Sequence, residues 1–155
     1  MVADWMYAEP IGLYVIVDAD ANGNTVKTLE MTRKKPAFKA AGTPVAKALE
    51  AYFRTGSDEG LLGFDFDRTG LTPFRIKIME ALRQVPAGET MTYGELATAA
   101  GSPGAARAVG NAMARNPVPI IVPCHRVLAT NGLGGFTGGL DVKKKLLRLE
   151  GAEVK

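Results

Sequence analysis

The sequence predicts an α/β (α+β) fold in two parts: a small α/β domain over residues 1–70, and a mainly helical domain over 71–155. Three observations lead there. An early pair of β-rich runs flanks Asn22-Gly23, a strong hairpin-turn signal. Thr-Pro or Ser-Pro pairs then precede helix-spaced apolar residues, at Thr43-Pro44, Thr72-Pro73 and Ser102-Pro103. Between the first two of these helices, residues 56–70 show no hydrophobic period and read as a linker.

Residues 11–18 and 25–31 are the expected hairpin strands. Asp18, Asp20 and Asn22 imitate the start of a calcium loop, but Leu29 stands where a chelating Glu is needed. A polar hairpin turn is the better reading. Thr43 then caps a helix with Pro44 at its first position. Val45, Ala48, Leu49, Tyr52 and Phe53 make its apolar face, and Gly56 ends it. A second helix opens at Thr72-Pro73, turns Phe74, Ile78, Ala81, Leu82 and Val85 inward, and stops before Pro86.

Thr92-Tyr93-Gly94-Glu95 is a capping box, in which hydroxyl and carboxylate each satisfy an otherwise unpaired backbone N–H. The short helix it opens is expected to end at Gly101. Ser102-Pro103 is expected to cap the next at once, running to about Arg115 before Asn116-Pro117. Two short helices about a glycine corner make a helix-turn-helix. A strand over 119–122, a turn at Cys124, a strand near 126–129, a glycine-rich loop over 131–139 and a helix over 141–150 follow. In that last helix Val142, Leu146 and Leu149 are expected inside, with Lys143, Lys144, Lys145 and Arg148 in solvent.

Composition narrows the function classes. With 46% hydrophobic and 23% charged residues the chain is not of the disordered kind. No apolar run approaches the roughly 20 residues of a membrane helix, so no membrane partner is expected. The start, Met1 to Gly12, has no basic-then-apolar pattern of a secretion signal. A cytoplasmic location follows, nucleoid-associated in a prokaryote or nuclear in a eukaryote. One Cys and one His allow neither an internal disulfide nor a four-ligand Cys/His zinc site. No metal and no cofactor are expected, and a monomer is the expected state. The net charge of +3 suits a nucleic-acid partner but selects it only weakly.

The only Cys and the only His are neighbours, in Pro123-Cys124-His125-Arg126-Val127. A free thiol is mostly protonated at neutral pH, so a nucleophilic Cys needs a base or a positive field. Neighbours on a regular strand face opposite ways, so the backbone must turn here or a water must bridge the two. The pentapeptide alone leaves two readings open: a buried Cys packed as a small hydrophobe beside a satisfied His, or a reactive thiol.

Pro-Cys-His-Arg-Val resembles the active-site motif of the O6-alkylguanine-DNA alkyltransferase (methylated-DNA–protein-cysteine methyltransferase) family. Other segments resemble the same family in order. Residues 91–97, Met-Thr-Tyr-Gly-Glu-Leu-Ala, look like its tyrosine-bearing helix, and 105–113, Ala-Ala-Arg-Ala-Val-Gly-Asn-Ala-Met, like its recognition helix. Asn116-Pro117, the loop Gly134-Gly135-Phe136-Thr137-Gly138-Gly139 and Leu147-Arg148-Leu149-Glu150-Gly151 match further blocks. The resemblance spans 92–151; residues 1–70 match only in outline.

The resemblance implies direct DNA repair: one irreversible transfer of an alkyl group from O6-alkylguanine, and from O4-alkylthymine, in duplex DNA to Cys124. His125, acting through a water and polarised by Glu150, would take the thiol proton. Tyr93 would donate its hydroxyl proton toward the purine, and Asn116 would tie the recognition helix to the Cys turn. Tyr93, Val127, Phe136, Thr137 and Gly138 would form the alkylguanine pocket. Arg107 would fill the stack left by the flipped nucleotide, with Thr92, Ala106, Ala108, Gly110, Asn111 and Arg115 along the minor groove. Phe136 stands where the family commonly has tyrosine, so a hydroxyl contact from this loop is lost. The alternative is a lesion-binding relative without transfer activity, against which the presence of Cys124 argues.

Overall fold

The computed structural model describes residues 2–152, so the outer ends of both expected domains, Met1 and 153–155, lie outside the described residues. Alternating apolar residues build an antiparallel meander of β1 (Val2–Ala8), β2 (Leu13–Ala19) and β3 (Thr25–Thr32). Met6 with Ala8 and Val15 with Val17 take the buried face at the two-residue period of a strand, and a shift in the β2–β3 register at Asp18/Ala19 lets Val26 and Leu29, three residues apart, both face inward. The hairpin therefore forms about Asn22-Gly23, and Asp20 accepts the Asn24 and Thr25 amides at 3.0 and 3.3 Å to shape its turn. Strand β1 escapes a reading by hydrophobic alternation because a charged residue, Asp4, occupies one of its inward positions.

Helix α1 (Pro44–Thr55) packs on β1 through Val45, Ala46, Leu49, Tyr52 and Phe53. The Thr43 hydroxyl caps its start, and Gly56 at φ 77° closes its end in the left-handed conformation. Residues 56–70 are more than a linker. They bury Leu61 and Phe66 and place β4 (Asp65–Phe66) parallel to β3, at the edge of the sheet.

Asp4 explains how β1 is tied to the start of α1. Its carboxylate is fully buried and accepts the Thr43 hydroxyl at 2.6 Å and the amides of Ala41, Thr43 and Trp5 at 2.7–2.8 Å. Burial pushes its carboxyl up, but these four donors outweigh it and hold it below the usual carboxylate range. Asp4→Ala strands the donors and is expected to cost about 3 kcal/mol. A thermal melt should show this as a midpoint lower by roughly 10 °C; an unchanged midpoint would refute the tie.

The chain divides into two compact units, one running to Asp67 and including Pro117–Ile121, the other formed by Arg68–Asn116 and the chain from Val122 on. In the second unit Thr72 caps α2 (Pro73–Leu82), and the Thr92–Glu95 capping box opens α3 (Tyr93–Ala99). Strand β5 (Met91–Thr92) lies parallel to β6 (Val127–Leu128), and α4 (Ala106–Ala114) and α5 (Leu140–Leu149) complete the unit. Ile78, Leu82, Leu96, Val109, Val127 and Leu146 are fully buried within it. No described helix is long and apolar enough to cross a membrane.

Two expectations are corrected here. Ser102-Pro103 does not cap α4. Gly104, at φ 86°, turns the chain once more, and the helix starts at Ala106 without a side-chain cap. Residues 119–122 do not form a strand. Pro117 instead accepts the Leu29 amide at 2.9 Å within the first unit, and Ile120 adopts φ 75°, which a ladder of extended residues cannot contain.

Candidate active site

After Pro123, Cys124–Arg126 close one turn of 3-10 helix, with the Arg126 amide bonded to the Pro123 carbonyl at 3.0 Å. This turn lets adjacent residues serve one site, which a strand would forbid. Cys124 lines a cavity of about 240 Å³. His125 and Arg126 are buried behind it and converge on Glu150, at the end of α5. His125 Nε2 lies 2.7 Å from Glu150 Oε2. Arg126 grips both oxygens of the same carboxylate at 2.8 and 2.9 Å and donates to the Val85 carbonyl at 2.7 Å.

The electrostatics fix the state of each group. Burial pushes the Glu150 carboxyl up, but hydrogen bonds and charge from His125 and Arg126 outweigh it and hold it at about 2. Glu150 is therefore an anion at neutral pH and can only accept. His125 must carry its proton on Nε2, which leaves a lone pair on Nδ1. Burial, only partly opposed by Glu150, holds the imidazole below its usual range and so neutral. Nδ1 is buried and has no hydrogen-bond partner among the described residues. Burial also raises the Cys124 thiol; an Asn116 side-chain hydrogen bond and the Lys143 charge oppose this without reversing it. The result is a protonated thiol beside a neutral base with a free lone pair.

Tyr93 opens α3 and lines the cavity, its hydroxyl accepting the Gly135 amide at 3.3 Å. Phe136 and Thr137 line it from the loop, and the Thr137 hydroxyl donates to the Ala114 carbonyl at 3.2 Å. Asn116 donates to the Val122 carbonyl at 2.9 Å, joining the end of α4 to the approach to Cys124. Val127 and Gly138 are not on the cavity wall: Val127 is fully buried, its carbonyl taken by Lys143, and Gly138 is exposed. Gly110, Met113, Ala114 and Gly135 supply the remaining wall. Along α4, Arg107, Ala108 and Asn111 are exposed, as is Arg115 just past its end, while Ala106 and Gly110 are half-buried; Thr92, at the start of α3, is half-buried too.

Lys143 corrects the expected solvated lysine run. It is fully buried, whereas Lys144 is exposed. Four-residue spacing puts it on one face with the buried Leu147, and that pairing was the available signal. Leu149, expected inside, is only half-buried. Arg126 had no such signal, because its partner Glu150 lies 24 residues away in the chain.

These parts define a class: a protein with a single cysteine lining a cavity, backed by a His–Glu pair, on a unit that also carries the short helices α3 and α4. Residues 73–152 match the family described as 6-O-methylguanine DNA methyltransferase, DNA binding domain. A methylated-DNA–protein-cysteine methyltransferase of Metallosphaera sedula is 33% identical over 159 residues, covering 100% of this chain and 97% of its own. That of Salmonella typhimurium is 55% identical over 84 residues, covering 54% of this chain; the chain spans about half, 49%, of that relative's length. Mycobacterium tuberculosis OGT, crystallised in complex with DNA, superposes with a TM-score of 0.78 at 35% identity, covering 96% of this chain and 92% of its own. The chain belongs to the 6-O-methylguanine DNA methyltransferase family.

Proposed function

We propose that this protein repairs DNA by moving the alkyl group of O6-alkylguanine onto Cys124, once per molecule. The observation that carries the reading is a single thiol lining a cavity, with the His125–Glu150 pair at 2.7 Å behind it. Duplex DNA is the partner, approached through α4. Arg107, Asn111 and Arg115 recur at four-residue intervals on its exposed side, and Ala108 and Gly110 keep the helix slim. The target carbon is hidden in the duplex, so the nucleotide must flip into the cavity at a cost of a few kcal/mol, with Arg107 filling the gap. O4-alkylthymine is a smaller substrate of the same chemistry.

The reaction is a displacement at the alkyl carbon. His125 Nδ1, through a bridging water, takes the thiol proton, and the sulfur forms a bond to carbon as the carbon–O6 bond breaks. The departing guanine anion takes a proton from the Tyr93 hydroxyl, and the proton held by His125 returns to Tyr93 through solvent. Thiol and ether have become thioether and guanine. Water does not hydrolyse a thioether under mild conditions, so the molecule acts once.

Thiol titration tests this stoichiometry, since Cys124 is the only thiol. One equivalent of alkylated duplex should remove one equivalent of thiol, and further substrate should change nothing. Turnover beyond one equivalent, or binding with the thiol intact, would contradict the reading. Gly134 offers a second test. At φ 72°, its added Cβ would sit 2.8 Å from the Tyr93 hydroxyl oxygen and 3.1 Å from the Ala129 amide nitrogen. Gly134→Ala should displace Tyr93 and slow transfer by about a hundredfold, the lower end of the range for one proton-transfer group; an unchanged single-turnover rate would remove Tyr93 from the scheme.

A further inference from the structure

The proposed reaction leaves one buried charged group in this unit without a role. Lys143 is fully buried, and its hydrogen-bond partners among the described residues are two backbone carbonyls: Val127 at 2.6 Å and Gly135 at 2.9 Å. A buried ammonium without a carboxylate partner is costly, and an apolar residue beside Leu147 would pack there without that cost. What it holds together is specific. Val127 follows the Cys124–Arg126 turn directly, and Gly135 belongs to the loop that lines the cavity and meets Tyr93.

We propose that Lys143 is a positioning residue for transfer, resting on the function proposed above: its ammonium pins the substrate loop to the cysteine turn and supplies the positive field in which the Cys124 thiolate forms. The first part follows from the two carbonyl contacts. The second follows from charge. The thiol must shed its proton inside a buried site, and a thiolate there needs a cation nearby. Burial lowers Lys143 to about 8, and the Cys124 charge opposes that fall. At neutral pH the lysine is therefore still mostly protonated. The other ionisable groups at this place are Cys124, His125 and Tyr93, with Arg126 and Glu150 behind His125.

Lys143→Met keeps an unbranched side chain of nearly the same length and removes the charge; Lys143→Arg keeps the charge. Two readouts separate the roles: single-turnover transfer from an O6-methylguanine duplex, and carbamidomethylation of Cys124 by iodoacetamide as a function of pH. In Lys143→Met, transfer should fall about a hundredfold, the cost of a small misplacement of reacting groups. Its carbamidomethylation profile should also move up by about one pH unit, the effect of losing a nearby opposite charge. Lys143→Arg should restore the profile and part of the rate. A folded Lys143→Met with wild-type rate and profile would overturn the proposal. So would two variants slowed equally with unshifted profiles, which would mark a purely structural lysine.

Should Lys143→Met fail to fold, the wild-type protein still decides. Methylating Cys124 with methyl iodide removes the thiolate, so the Lys143 ammonium, followed by NMR, should titrate at lower pH afterwards. An unchanged titration would overturn the coupling. Failure of the wild-type protein to react with the duplex would sink the proposed function, whereas the iodoacetamide profile would still read the Lys143–Cys124 pair.

Discussion

Cys124→Ala should abolish alkyl transfer to the protein while leaving affinity for duplex DNA within about twofold of wild type, the size of effect usual away from a binding surface. The chain offers no substitute. Its single histidine is turned toward Glu150, and the remaining cavity wall is Tyr93, Gly110, Met113, Ala114, Gly135, Phe136 and Thr137. None of those carries a nucleophile comparable to a thiolate. The substitution removes only a sulfur at the cavity edge and leaves α4, with Arg107, Asn111 and Arg115, untouched. Radiolabel transfer and a gel-shift titration on one duplex would read the two effects separately. Residual transfer in Cys124→Ala would place the acceptor elsewhere, and parallel loss of binding would make Cys124 a structural residue.

Glu150→Gln should have the next largest effect, on rate and stability together. The carboxylate fixes the tautomer that leaves Nδ1 of His125 free, and an amide can present N–H groups where only acceptance works. Loss of the oriented base should slow transfer by about a hundredfold or more. Arg126, with its side chain 2% exposed, would lose its counter-charge, at about 3–5 kcal/mol.

The pH dependence checks this independently. Glu150 falls from 4.5 unfolded to about 2 folded, so the contact stabilises fully above pH 4.5 and is lost as pH falls through about 2. The shift corresponds to roughly 3 kcal/mol. Burial also depresses His125 below 6.5, so its contribution is present above that pH and declines below it. Denaturant titrations should show the wild-type stability dropping between pH 4.5 and 2, and Glu150→Gln should flatten that limb. Parallel pH profiles for the two proteins would contradict the assignment.

Much of this arrangement is legible in the chain before any coordinates, because short-range rules govern it. The Thr43-Pro44 and Thr72-Pro73 starts, the Thr92–Glu95 box and the Asn22-Gly23 turn each involve atoms within four residues. The errors have long-range causes. Strand β1 is obscured by Asp4, whose partners Ala41 and Thr43 lie 37 and 39 residues away. The segment after Asn116 reads as a strand by composition, yet it bonds to Leu29 and turns through Ile120. In the site, Cys124, His125 and Glu150 could be named from motifs, but the wall supplied by Gly110 and Met113 depends on how α4 faces the cysteine turn. Lys143 reads as solvated because its charge masks its helical register with the buried Leu147.

In the proposed reaction Cys124 accepts one alkyl group and keeps it. Intact-mass measurement after incubation with a duplex carrying O6-methylguanine, followed by peptide mapping, tests it most directly. The expected result is a gain of one methyl group per molecule, located on Cys124 and unchanged by excess substrate. An unchanged mass with competent, bound duplex, or a methyl group on any other residue, would contradict it.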